Sequence, residues 1–227
     1  MPGTKSYEQR MDEWWQKHYA DVYINEEQQA PELSDEDEDV VPVIDEPLQP
    51  FVTFGHGSET LAQIAPPFDD PEVLRRGNHS YQGALNAWEK YSEKFIEYGN
   101  DYNVDPLILA AIAGHESGGQ ADAVGKTEDL GLMQFTVRTW RRIMPGRPLE
   151  ERLDPNLSIE AAAKLFDSDR SILKNEDLAL LAYNIGHARV TSVIQGESDF
   201  PGRSRFYWPT VPLTHERLTQ TLGQQQE

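Results

Sequence analysis

The sequence predicts an all-α domain over residues 81–215, and three observations predict it. Apolar residues recur at helical spacing in six segments beyond residue 80. Capping and breaking residues bracket those segments. No stretch alternates apolar and polar residues as a half-buried strand would, so helices packed on helices are the expected architecture.

The segments follow in order. Leu85, Trp88, Ser92, Phe95 and Ile96 line one face of a first helix, which Gly99-Asn100 is expected to stop. Asp105-Pro106 is a cap followed by a proline suited to a first turn, and it opens an apolar helix to about His115. Gly118-Gly119 breaks that helix. Thr136 caps a helix running through Trp140 to Met144, and Pro145-Gly146 ends it. Further helices are expected from about Ser158 to Leu173, from Glu176 to about Tyr183 behind an Asn175 cap, and from Ala188 to Gln195. Residues 51–80 read as an irregular linker, punctuated by Gly55-His56-Gly57, Pro66-Pro67, Asp70-Pro71 and Gly77-Asn78. Residues 216–227 read as a C-terminal tail.

Residues 1–50 read as an acidic N-terminal segment, largely disordered. Residues 1–48 hold 14 acids and 3 bases, a net of −11 out of −19 for the 227-residue chain. Tyr7–Tyr23 has the spacing of a short helix, with Trp14-Trp15 beside the charged stretch. Two readings stand for this segment: a solvating leader, or a docking peptide for a protein partner. The acidity disfavours direct binding to nucleic acid or anionic lipid. Cysteine is absent, which excludes disulfides, thiolate metal sites and cysteine nucleophiles. The longest apolar run, Pro106 to Gly114, is half the length of a membrane span. The first ten residues carry no apolar core of a secretory signal, so the expectation is an unconventional route to any extracytoplasmic target.

Glu116 is the candidate for chemistry. It ends an apolar helix immediately before a glycine break, half in the core and half in whatever cleft the break opens. Desolvation there raises a carboxyl's pKa and keeps it protonated near neutrality, as a general acid requires. A glutamate at a helix end is otherwise a solvated terminus.

The surroundings add specificity. Glu116-Ser117 is followed fifteen residues on by Gly131-Leu132-Met133-Gln134, and later by Ala182-Tyr183-Asn184-x-Gly186. This ordered triple resembles the lytic transglycosylase family of the soluble-lytic-murein type, whose lysozyme-like fold is akin to goose-type lysozyme. Val104-Asp105-Pro106, Ala123-Val124, Thr139, Asp154-Pro155-x-Leu157 and Arg205-x-Tyr207-x-Pro209-x-Val211 extend the resemblance over roughly Tyr91 to Val211.

The resemblance implies roles. Glu116 would be the single acid/base, with Ser117 orienting it or the substrate's N-acetyl group. Gly131, Leu132, Met133 and Gln134 would form a cleft wall, although Leu132 and Met133 fit core packing better. Tyr183 and Asn184 would face the acid, and Tyr207 would close the cleft. His115 and His187 carry no implied chemistry. The implied substrate is peptidoglycan at the bacterial cell wall or periplasm, cleaved between N-acetylmuramic acid and N-acetylglucosamine to leave a 1,6-anhydromuramyl end, with no metal or organic cofactor. Delivery by a phage particle is the leading expectation for the route, with the acidic segment docking a partner.

This chain departs from the family pattern at Gly125, Glu128-Asp129, Val137 and Arg203-Ser204. Glu128 or Asp129 would position a water in an inverting muramidase, which is the alternative enzyme. A non-catalytic structural or adaptor protein of a virion or secretion apparatus is the alternative outside catalysis.

Overall fold

The computed structural model describes residues 65–200, 202 and 204–223, all within a unit spanning Val52–Glu227. The helix expected over Tyr7–Tyr23, the acidic run and residues 51–64 of the expected linker lie outside the described residues. Seven α-helices are present among them: α1 (Pro71–Asp101), α2 (Pro106–Ser117), α3 (Val137–Ile143), α4 (Pro155–Leu173), α5 (Glu176–Ile185), α6 (His187–Ile194) and α7 (Tyr207–Gly223). Two short 3₁₀ turns, Leu149–Leu153 and Ser204–Phe206, precede α4 and α7. The described residues form no strand beyond the isolated bridges Val124–Leu130 and Leu130–Phe135.

Local chemistry starts most of these helices. Asp105 accepts from the Leu107 N–H at 2.8 Å, Thr136 from Thr139 at 3.1 Å and Asn175 from Leu178 at 2.9 Å. Asp154 caps α4 through Asn156 N–H at 2.8 Å, with Pro155 in the first turn, so that helix begins three residues before Ser158. Each such cap is worth about 1 kcal/mol.

The first helix begins at Pro71, ten residues earlier than the spacing predicts, so the last ten residues of the expected linker are helical. Asp70 accepts from Glu72 N–H at 2.8 Å, the same Asp-Pro start that opens α2. Gly77 marks no turn: it lies buried inside α1, where a Cβ would meet Leu213 Cδ2 of α7 at 2.8 Å. The buried face of α1 also differs from the expectation. Phe95 is buried, but Ile96 is 44% exposed, and the inward residues are Ser80, Gly83, Ala84 and Ala87. These small side chains let α1 press against α2 almost backbone to backbone. A Cβ on Gly83 would lie 2.6 Å from Gly118 Cα, and one on Gly114 would overlap the Ser80 carbonyl and Ala84. Gly99 does not stop α1; it lies buried where the Val104 carbonyl and Pro106 ring close over it.

The expected C-terminal tail from residue 216 is likewise helical as far as Gly223, as the continuation of α7, and its Leu218 is buried. Pro209 falls in the first turn of α7, where its missing N–H has no helical partner to lose. The Tyr81 hydroxyl lies 2.8 Å from Thr221 Oγ1, and His215 Nε2 lies 2.8 Å from Asp105. Through these ties α7 packs on both α1 and α2, while α4 packs on α1 and α5.

Candidate active site

Glu116 sits in the last turn of α2, one residue from the end, and Gly118 terminates the helix in the left-handed region at φ 63°. Everything before it on the helix from Leu109 to Gly114 is buried, so the helix delivers one acid from the core to the surface. The carboxyl is half-buried, and burial pushes its pKa up to about 8. The Tyr207 hydroxyl opposes that rise and the Asp129 carboxylate adds to it. An acid so placed holds its proton at neutral pH.

Two phenols flank it. Tyr207 is 1% exposed, and its ring meets the His115 ring edge-on at 4.6 Å. Its hydroxyl interacts with Glu116 but falls short of hydrogen-bond geometry, so it has no such partner among the described residues. Tyr183 donates to the Met133 carbonyl at 3.1 Å, and its ring tilts against Phe135 at 6.1 Å. Burial and then the Glu116 charge push both phenols far above their usual range, so both stay protonated donors. His115 lies within the same cluster, 3.3 Å from Ser80 Oγ. Desolvation, with Arg76 and His79 nearby, lowers it to about 4, so it is neutral at physiological pH.

The Gly131–Gln134 turn is built for its own packing as much as for a ligand. Gly131 has φ 80°, and a Cβ there would overlap the Arg152 carbonyl, so its open side is filled by backbone rather than left to a sugar. Leu132 and Met133 are fully buried side chains. Gln134, at φ 49°, donates through Nε2 to Gly131 O at 2.8 Å and Ala123 O at 3.1 Å, which locks the turn to the preceding loop. Ser117 is committed in the same way: its hydroxyl donates to Ala113 O at 3.0 Å and accepts from Gln120 N–H at 3.2 Å. Asn184 is exposed beside Tyr183. The two loop acids separate in role. Asp129 accepts from Thr127 Oγ1 at 2.7 Å and acts electrostatically on Glu116, whereas Glu128 is exposed and uses its carbonyl to accept from Arg152.

Arg152 is a residue that sequence reasoning missed. It is 1% exposed, and its guanidinium donates to the carbonyls of Leu149 at 2.8 Å, Phe135 at 3.0 Å and Glu128 at 3.1 Å. It thereby fastens both ends of the turn that carries Gln134. Asp169 was missed too: this buried carboxyl on α4 lies 3.0 Å from the Nδ1 of His187 at the start of α6, the histidine to which the resemblance gave no chemistry.

Residues 93–206 match the family model described as the transglycosylase SLT domain. The match stops one residue before Tyr207. Membrane-bound lytic murein transglycosylase F of Pseudomonas putida (strain F1) is 38% identical over 104 residues, covering 43% of this chain and 21% of the relative. The protein of that name from Haemophilus influenzae is 33% identical over 115 residues, covering 47% of this chain and 23% of the relative. The chain thus spans about a fifth of the length of these curated relatives. An inactive variant of lytic transglycosylase Slt from Pseudomonas aeruginosa, a solved structure, aligns at TM-score 0.51 and 21% identity over 59% of this chain and 24% of that one. That likeness is one of fold.

Proposed function

We propose that this chain, which belongs to the transglycosylase SLT domain family, cleaves the glycan strands of peptidoglycan with Glu116 as its acid and base. The observation that carries the reading is the Glu116 carboxyl itself. It is half-buried at a helix end, raised to about 8 by burial, and flanked by two protonated phenols. In this mechanism Glu116 protonates the glycosidic oxygen between N-acetylmuramic acid and N-acetylglucosamine as an oxocarbenium-like transition state develops. The muramic acid C6 hydroxyl attacks the anomeric carbon, and the new carboxylate takes its proton. Attack from within the same sugar needs no positioned water and gains from proximity. The proton passes out and back through one group, and the product is a 1,6-anhydromuramyl end.

Tyr207 and Tyr183 would bound the acid's side of the cleft, and Asn184 and the Gln134 side-chain oxygen would meet the sugar. The cell wall is the expected place of action. The relatives are named as membrane-bound, and no helix among the described residues is long and apolar enough to cross a membrane. Carriage by a phage particle is the proposed route, with residues 1–50 engaging a protein partner through the Trp14-Trp15 pair beside their acidic stretch.

One observation favours a second reading. Asp129 acts on Glu116 through space, so a second carboxyl does reach the acid's field. An inverting muramidase needs such a carboxyl about 6.5–9.5 Å from the acid, with a water between. Mass analysis of digested murein separates the two. Anhydro ends that Glu116→Gln abolishes and Asp129→Asn leaves intact support the transglycosylase. Reducing ends, one water heavier and suppressed by Asp129→Asn, support the muramidase. Murein left uncut by the native protein overturns both and leaves the adaptor reading.

A further inference from the structure

The wall that carries Tyr183 and Asn184 is an elbow between two helices. Gly186, at φ 79°, ends α5, and α6 starts at once with His187 and no side-chain cap. Backbone bonds alone join the two helices here, Gly186 N–H to Ala182 O at 2.7 Å and Val190 N–H to Gly186 O at 3.1 Å. Packing holds α6 on its buried side, where Val190 is fully enclosed, but the joint itself carries no side-chain cap hydrogen bond.

A side-chain tie to a third helix adds a directional polar constraint to that packing. His187 Nδ1 lies 3.0 Å from Asp169 Oδ1, and Asp169 is 1% exposed on the inward side of α4, among Leu165, Phe166 and Ala162. The imidazole itself is about one-third exposed, its side chain at 34%. Packing gives no reason for an acid at 169. A buried carboxyl is expensive to desolvate, and an apolar side chain of similar size would fill the space better. What a carboxyl adds is a directional hold on the imidazole. The charged and titratable groups that face Asp169 are His187 from α6, Arg142 from α3 and Tyr183 from α5. Its negative charge also favours the protonated phenol at Tyr183, which is the form that donates to the Met133 carbonyl.

We propose that Asp169 and His187 are a positioning pair, which sets the α5–α6 elbow so that Tyr183 stands against the acid and Asn184 is presented to the glycan. The pair touches no substrate and acts through the elbow. The inference rests on the glycan-cleaving reading above.

The test is steady-state kinetics of the full chain on solubilised peptidoglycan strands, with a thermal melt of each variant. Asp169→Leu and His187→Ala each lower kcat by about tenfold to a hundredfold, the scale of a small misplacement at a reacting centre, with KM nearly unchanged. The melting temperature of Asp169→Leu stays level or rises. His187→Asn keeps an N–H where Nδ1 stood and restores kcat to within about threefold of native, because one bond is the function. The double variant is no worse than either single, as for residues that act as a unit. Native-like kcat in His187→Ala overturns the proposal while the enzyme reading stands, and so does a loss that merely follows the melting temperature. Should Asp169→Leu fail to fold, the His187→Ala and His187→Asn pair decides. Native protein that leaves the strands uncut overturns the enzyme reading itself, and this proposal with it.

Discussion

At Glu116 the direction of the pKa shift fixes two pH dependences. A carboxyl raised to about 8 from an ordinary 4.5 is protonated through neutrality, so the rate should fall as pH rises through about 8. Stability follows the same sign. The raised carboxyl's stabilising contribution is complete below the unfolded value near 4.5 and is lost as pH rises through the folded value near 8. Glu116→Gln, which cannot ionise, should therefore melt with the native protein at pH 4 and above it at pH 9, by about 2–4 °C for each kcal/mol relieved. A melting gap that stays constant with pH would contradict the buried placement. Tyr207→Phe should move the alkaline limb of the rate profile upward, since the hydroxyl opposes the shift. An unmoved limb would separate the phenol from the acid. Glu116 was legible because an apolar helix and a glycine break lie side by side in the chain. Arg152 and Asp169 were not, since the first spends its guanidinium on backbone carbonyls and the second on a ring eighteen residues away.

The helices repeat that distinction. Asp105, Thr136 and Asn175 could be read as starts because a cap concerns only the next three residues. The start of α1 carried the same Asp-Pro signature, but Gly77-Asn78 masked it, and the reason for that glycine lies 136 positions on at Leu213. Amphipathic spacing also chose the wrong face of α1, because large residues mark a core only where the neighbouring helix stands off. Against α2 the neighbour is backbone, and the buried side is glycine and alanine. Gly114→Ala should consequently destabilise by at least the roughly 1–3 kcal/mol typical of overpacking, because rigid Ser80 and Ala84 backbone stands in the way. Denaturant unfolding checks this, and a change below about 0.5 kcal/mol, the range of neutral surface substitutions, would show that the helices can part.

Across the whole chain, charge is unevenly spread. Residues 1–48 hold −11 of the −19, so the rest is only mildly acidic. Removing residues 1–48 should leave the specific activity on soluble glycan strands within about twofold, as expected of a self-repelling segment with few apolar groups, and should weaken attachment to a protein partner. A tenfold loss of activity would mean that the segment completes the fold. The all-α class was legible from periodicity and caps together, whereas the extent of the body at both ends was not. Glycine and proline, which punctuate most chains, here lie inside the first and last helices. The contact of α1 with α2 has one more consequence. Bare backbone has no rotamers with which to accommodate a small separation, so the seam behind the acid is a weld and not a hinge. On warming, such an enzyme has no slackened but folded form to pass through. Its activity should hold to the edge of the melting transition and end there as a cliff.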